Sequence, residues 1–145
     1  MNFASEISAL SGLATSAFLS ATILPLSSEG VLLALAWAKA VPDWLLLAVA
    51  STANTAGSCV NWLLGRFLTR LRGTRWFSPG EAALERAERW YAAYGWPTLL
   101  LSWAPIVGDP LAVVAGLLRT PFWLFVIVVG CAKTGRYAAI LWAAG

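Results

Sequence analysis

The chain has 145 residues, of which 59% are hydrophobic and only 12% charged, with a formal net charge of +3 and a mean hydropathy of +0.72; an ordinary soluble domain is about 25% charged. This composition excludes a soluble globular domain and gives no footprint for nucleic acid; it predicts an all-α integral membrane protein whose length suits one membrane domain, 1–145, of a few spans. The absence of histidine removes His-based acid/base chemistry and the commonest metal ligand, and with no Cys/His cluster neither a metal nor another cofactor is expected.

The first 38 residues contain no Lys or Arg, so a cleaved signal peptide, which needs a basic start, is not expected. Residues 7–38 are apolar but interrupted by Pro25-Leu26-Ser27-Ser28-Glu29-Gly30. A helix breaker and a carboxylate in that setting predict a re-entrant hairpin, although residues 7–24 are long enough to cross alone. From Trp44 to Gly65 no charge appears, and roughly 20 such residues span a hydrocarbon core. Ser51, Thr52, Asn54, Thr55, Gly57, Ser58 and Asn61 line this span, residue types that let helix backbones approach and hydrogen-bond across helices.

Arg66, Arg70, Arg72, Arg75, Arg86 and Arg89 make residues 66–96 the basic loop, cytoplasmic by the positive-inside rule. Both termini are then expected outside the cytoplasm. Within the loop, Ser78-Pro79-Gly80-Glu81 reads as a capping box. It opens a short interfacial amphipathic helix with Leu84, Ala87, Tyr91 and Tyr94 on one face, ended by Gly95 and Pro97. Residues 97–118 hold Pro105, Gly108, Asp109 and Pro110 at their centre, which predicts a second re-entrant hairpin of two half-helices of roughly ten residues. A second span runs from Pro121, interrupted by Lys133 and Arg136; at about 1.5 Å per residue Lys133 falls near mid-bilayer. Cys59 and Cys131 sit in apolar runs and are expected to be reduced and structural.

Shifting the chain by 80 residues aligns Pro25 with Pro105, Glu29 with Asp109 and Lys39 with Arg119. Omitting Val41 then aligns Pro42 with Pro121, Trp44 with Trp123 and Asn54 with Lys133. Each repeat, about 7–70 and about 97–145, would be one re-entrant hairpin plus one spanning helix. A hairpin returns to its own side and a span crosses, so the second copy must be inverted, the plan of many transporters.

The segments LSATILPLSSEGVLLAL, NTAGSCVNWLLGRFL, YGWPTLLLSWAPIVGDPLAVVAGLLR and AKTGRY, in that order, resemble the short YqaA-type branch of the DedA superfamily of bacterial inner-membrane proteins. The resemblance covers nearly the whole chain. It implies a multi-pass protein of the bacterial inner membrane with two facing re-entrant loops. It also implies a relation to lipid scramblases and to members that return undecaprenyl phosphate across the membrane. Glu29 matches the family's acid in the first hairpin and Gly65-Arg66 its glycine-arginine after the first span. Where better-known members resemble R-x-x-P-x-x-R in the second hairpin, this chain has Ser102 and Gly108 around Pro105.

The candidate binding residues are therefore Glu29 and Asp109 at the two tips with Pro25, Ser28, Pro105 and Gly108, and Lys133, Arg136 and Asn54 from the spans. Lys133 and Arg136 supply cations for a phosphate, while the carboxylates compete for them or carry a proton. Other readings stay open: the acids cap helices, Lys133 snorkels, Asn54 is interhelical glue, and Lys39 and Arg119 anchor at interfaces. The expected partners are membrane lipids, with a lipid phosphate and protons as cargo, and homo-oligomerisation is left open. Three functions compete: a lipid translocase, a proton- or ion-coupled homeostasis transporter, and a non-transporting scaffold. Enzymatic activity is not expected.

Overall fold

A computed structural model describes residues 2–21, 28–68, 81–104 and 107–145. Regular structure among the described residues is entirely helical. In chain order it comprises α1 (Phe3–Ser20), α2 (Ser28–Trp37), α3 (Asp43–Leu68), α4 (Glu81–Tyr94), a 3-10 helix (Trp96–Trp103), α5 (Gly108–Leu117) and α6 (Phe122–Ala144). Pro25, Pro105 and the Ser78-Pro79-Gly80 part of the capping box lie outside the described residues.

Two compact units emerge. The first comprises Met1–Gly57 with Lys133–Gly145, the second Ser58–Ala132. In the first, α1 packs along α2 over a core of Leu13, Leu32, Leu46, Ala50 and Tyr137. In the second, α4, α5 and the 3-10 helix pack together around Trp62, Leu99, Leu111, Val114, Phe125 and Val129.

Three hydroxyls on α1 and α3 are paired within their helices, whereas the buried Ser51 and Ser58 hydroxyls of α3 have no hydrogen-bond partner among the described residues. In α1, Ser11 Oγ donates to the Ser8 carbonyl at 2.9 Å and Thr15 Oγ1 to the Ser11 carbonyl at 2.8 Å. In α3, Thr52 Oγ1 donates to the Ala48 carbonyl at 2.7 Å. Each of these three is satisfied within its own helix, so it needs no water. Along α3, Ser51, Asn54, Ser58 and Asn61 recur at helical spacing and are buried, while Trp44, Leu63, Leu64 and Phe67 on other positions are exposed. This part of the predicted polar stripe therefore faces protein, whereas Thr52 is exposed and the large apolar Leu46 and Trp62 are buried. At 26 residues α3 is the longer helix, but its stripe lowers its hydropathy. Among the described residues, α6 is the helix both long and apolar enough to cross a membrane.

Two local differences from the sequence reading stand out. The helix before the PLSSEG stretch starts at Phe3, not near residue 7, because nothing between Phe3 and Ser20 breaks it; Gly12 lies in open space. Its 18 residues rise about 27 Å. In the other half, the arm after Gly95 is a 3-10 helix and not a half α-helix. It opens with Pro97 in its first turn, and its i+3 bonds run from Thr98 N to the Gly95 carbonyl at 3.1 Å and from Ala104 N to the Leu101 carbonyl at 3.0 Å. At 2 Å per residue its eight residues still cover about 16 Å, close to the reach of ten α-helical ones. Gly95, at φ 71° and ψ −152°, takes a conformation open to glycine and ends α4, as predicted.

α2 and α5 each have ten residues with bounds 80 apart. They also end alike: Lys39 N donates to the Ala36 carbonyl and Ala40 N to that of Leu35, while Arg119 N donates to the Gly116 carbonyl and Thr120 N to that of Ala115. Lys39 (φ 46°) and Arg119 (φ 59°) are the positive-φ non-glycine residues among those described. A side chain in this conformation costs roughly 1–2 kcal/mol, and helix-ending turns of this kind usually carry glycine. Lys39→Gly and Arg119→Gly are each expected to raise stability by about 0.5–1 kcal/mol, read as a higher unfolding midpoint in detergent; an unchanged or lower midpoint would show that the side chains contribute more than the strain costs.

Candidate functional site

On α6, Lys133, Arg136 and Tyr137 fall at i, i+3 and i+4 and so share one face. All three meet partners from the first unit. The Arg136 guanidinium makes an ion pair with the Glu29 carboxylate, in the first turn of α2. Lys133, 4% exposed, donates from Nζ to Asn54 Oδ1 on α3. The Asn54 amide in turn donates to the Ala17 carbonyl at 2.8 Å and to Ser20 Oγ at 3.0 Å. Ser20 Oγ reaches Ser28 Oγ at 3.3 Å, and Ser28 Oγ meets the Tyr137 hydroxyl at 2.8 Å. The result is a hydrogen-bonded chain from Lys133 through Asn54, Ser20 and Ser28 to Tyr137, with the Glu29–Arg136 pair beside it, drawn from α1, α2, α3 and α6.

Five of the predicted site residues, Ser28, Glu29, Asn54, Lys133 and Arg136, are thus brought together. Gly108 and Asp109 belong to the second unit, and both lie in the first turn of α5. Two network members, Ser20 and Tyr137, escape sequence reasoning; the signal for Tyr137 was its place beside Arg136 and one turn after Lys133.

The local geometry bears on whether these residues cap helices. Ser28 directs its hydroxyl to Tyr137, 109 positions along the chain, and Glu29 to Arg136. The residue before α5 is Val107, with no side-chain cap bond, so Asp109 is inside the helix and favours its positive end. Glu29 keeps 37% and Arg136 20% of its side chain exposed, so the pair is reachable from outside the fold, whereas the Lys133–Asn54 bond is buried. A planar guanidinium is suited to binding a phosphate through two parallel hydrogen bonds.

In the second unit, a Cβ on Gly108 would collide with the Ser102 carbonyl oxygen, and the buried Ser102 hydroxyl has no hydrogen-bond partner among the described residues. The positions at which the resemblance leads one to look for arginines are therefore filled by a close backbone contact. Gly65 and Arg66 have structural tasks: a Cβ on Gly65 would overlap the Val113 carbonyl oxygen, and Arg66 lies 5.3 Å from the Trp62 ring centre, a cation–π distance.

Helices that are apolar outside and joined by a buried polar network define a helical membrane protein, and the VTT-domain model matches residues 24–143. The chain belongs to the VTT-domain, or DedA, family. It is 38% identical over 136 residues to Inner membrane protein YqaA of Escherichia coli (strain K12), covering 94% of this chain and 91% of that one. An uncharacterized protein of Haemophilus influenzae is 35% identical over 133 residues, with 87% and 81% covered. No solved structure matches the chain significantly.

Proposed function

We propose that the protein is a transporter of the bacterial inner membrane that moves a lipid phosphate, undecaprenyl-phosphate-like or another phospholipid, and that the α2–α6 network handles the headgroup. The observation carrying this reading is the Glu29–Arg136 ion pair beside the buried Lys133–Asn54 bond. A charge at the centre of a spanning helix costs about 2.5–3.5 kcal/mol, and charges kept there generally mark a transport pathway. The inner-membrane name of the Escherichia coli relative supports the location.

In this mechanism an incoming phosphate takes Arg136 from Glu29, and the released carboxylate accepts a proton or swings aside. Lys133, held by Asn54, adds positive charge from the next turn of α6. Asp109 holds the corresponding place in the second repeat. Two observations favour inverted repeats with re-entrant hairpins: the identical turns at Lys39 and Arg119, and the contact between Asn54 and Lys133. Those two residues are counterparts under the repeat, and counterparts meet each other only near a two-fold axis.

A proton-coupled reading draws support from the hydroxyl chain Tyr137, Ser28 and Ser20. Liposomes holding wild type, Glu29→Gln, Asp109→Asn or Arg136→Gln, with a fluorescent lipid phosphate, separate the readings. Wild type is expected to exceed empty vesicles, and Arg136→Gln to be slower by roughly 10- to 100-fold, the effect of one charge-assisted hydrogen bond. No lipid movement by any of them would contradict translocation. A proton flux lost in the same variants would favour the coupled reading; neither flux, with variants that unfold, would favour a scaffold.

A further inference from the structure

A second feature of the first unit lies apart from the network. A cavity of about 560 Å³ opens between the turn after α2 and the end of α6, lined among others by Trp37, Lys39, Val41, Asp43 and Leu141. Its volume falls in the range of small-molecule sites, roughly 300–1,000 Å³. Lys39 and Asp43 are both exposed and line the same cavity, yet neither forms an ion pair with a described residue. Lys39 is also one of the strained residues of the fold, at φ 46°. Strain retained at a position that glycine would relieve points to a task for the side chain.

The surroundings indicate where the cavity sits. Trp37, Trp44 and Trp142, at the end of α2, the start of α3 and the end of α6, are 69%, 69% and 87% exposed. Exposed tryptophans of this kind gather at headgroup level, where an apolar ring and a polar N–H are both accommodated. A cavity there, with a cation and an anion at its wall and apolar Val41 and Leu141 behind them, matches a ligand carrying a phosphate, a primary ammonium and apolar chains.

We propose that this cavity binds the headgroup of an aminophospholipid, with Lys39 donating to the phosphate and Asp43 accepting from the ammonium. Trp37 covers the glycerol region, and Val41 and Leu141 meet the start of the acyl chains. The bound lipid is an anchor at the membrane boundary. The site is independent of the Glu29–Arg136 pair, and its occupancy does not require transport.

The test is native mass spectrometry of the full-length protein in detergent with equimolar phosphatidylethanolamine and phosphatidylglycerol. Wild type is expected to retain phosphatidylethanolamine about three- to fivefold over phosphatidylglycerol, the range an exposed ion pair supplies. Asp43→Asn should erase that preference, and Lys39→Gln should lower retention of both lipids. Both side chains are exposed, so the variants should unfold at the wild-type temperature, which is measured alongside. Equal retention by wild type, or an undiminished preference in Asp43→Asn, would overturn the proposal. So would displacement of the lipid by free glycerophosphoethanolamine at the same concentration, since the cavity would then read a soluble headgroup and not a bilayer lipid.

Discussion

Asn54→Leu is expected to destabilise the protein by about 3 kcal/mol, whereas Asn54→Leu combined with Lys133→Met recovers most of that loss. Asn54 and Lys133 are 5% and 4% exposed, and the amide oxygen accepts from the ammonium. Removing the acceptor alone weakens the solvation of a buried charge, and hydrogen bonds to charged groups are worth about 1.5–3 kcal/mol, with a further penalty for desolvation. Removing donor and acceptor together replaces a polar contact by an apolar one of similar size, which is often close to neutral. The other bonds of Asn54 are covered: the Ala17 carbonyl keeps its bond from Ser20 Oγ at 2.9 Å, and Ser20 keeps Ser28. Unfolding midpoints of the single and double variants in detergent check this. A double variant no more stable than Asn54→Leu would mean that Lys133 contributes to folding through its other contacts.

The second large effect concerns the helix crossing within the second unit. A Cβ on Gly116 would overlap the Trp62 carbonyl oxygen, and one on Gly65 the Val113 carbonyl oxygen. The obstacles are backbone atoms, which cannot swing away as a side chain does. Gly65→Ala and Gly116→Ala must therefore push α3 and α5 apart, at a cost of about 2–3 kcal/mol. Between apolar helices in lipid, close packing is a main source of association, so the loss is not replaced by another force. Gly12 and Gly135 also lie in helices but have nothing within 4 Å of an added Cβ. Alanine there is expected to stabilise by about 0.5–1 kcal/mol through helix propensity. The four substitutions, compared by thermal unfolding in one detergent, should separate into two groups of opposite sign; a uniform response would refute the crossing.

Much of this was legible because proline and glycine act locally. Pro42 and Pro121 mark where α3 and α6 begin, and Gly95 marks where α4 ends, each to within a residue. The limits of α2 and α5 lie 80 residues apart, but the contact between Asn54 and Lys133 was not legible, since the alignment made them counterparts and not neighbours. The partnership of Ser28 and Tyr137 was not legible, since no local pattern links residues 109 positions apart. Tyr137 alone reads as one more interfacial aromatic. The 3-10 arm was missed for a different reason: i+3 and i+4 helices share nearly the same apolar pattern, and the choice between them rests on tertiary packing. At Ser102 and Gly108 the sequence showed that arginines were missing, but only the backbone contact showed that the space is closed.

The charges of α2 and α6 serve cargo and not only the fold. The most direct test is the rate at which a labelled lipid phosphate crosses liposome membranes containing wild type or the Asn54→Leu/Lys133→Met variant, both verified as folded. Wild type should move the lipid faster than empty vesicles, and the folded variant should not; a folded variant that matches wild type would contradict the claim.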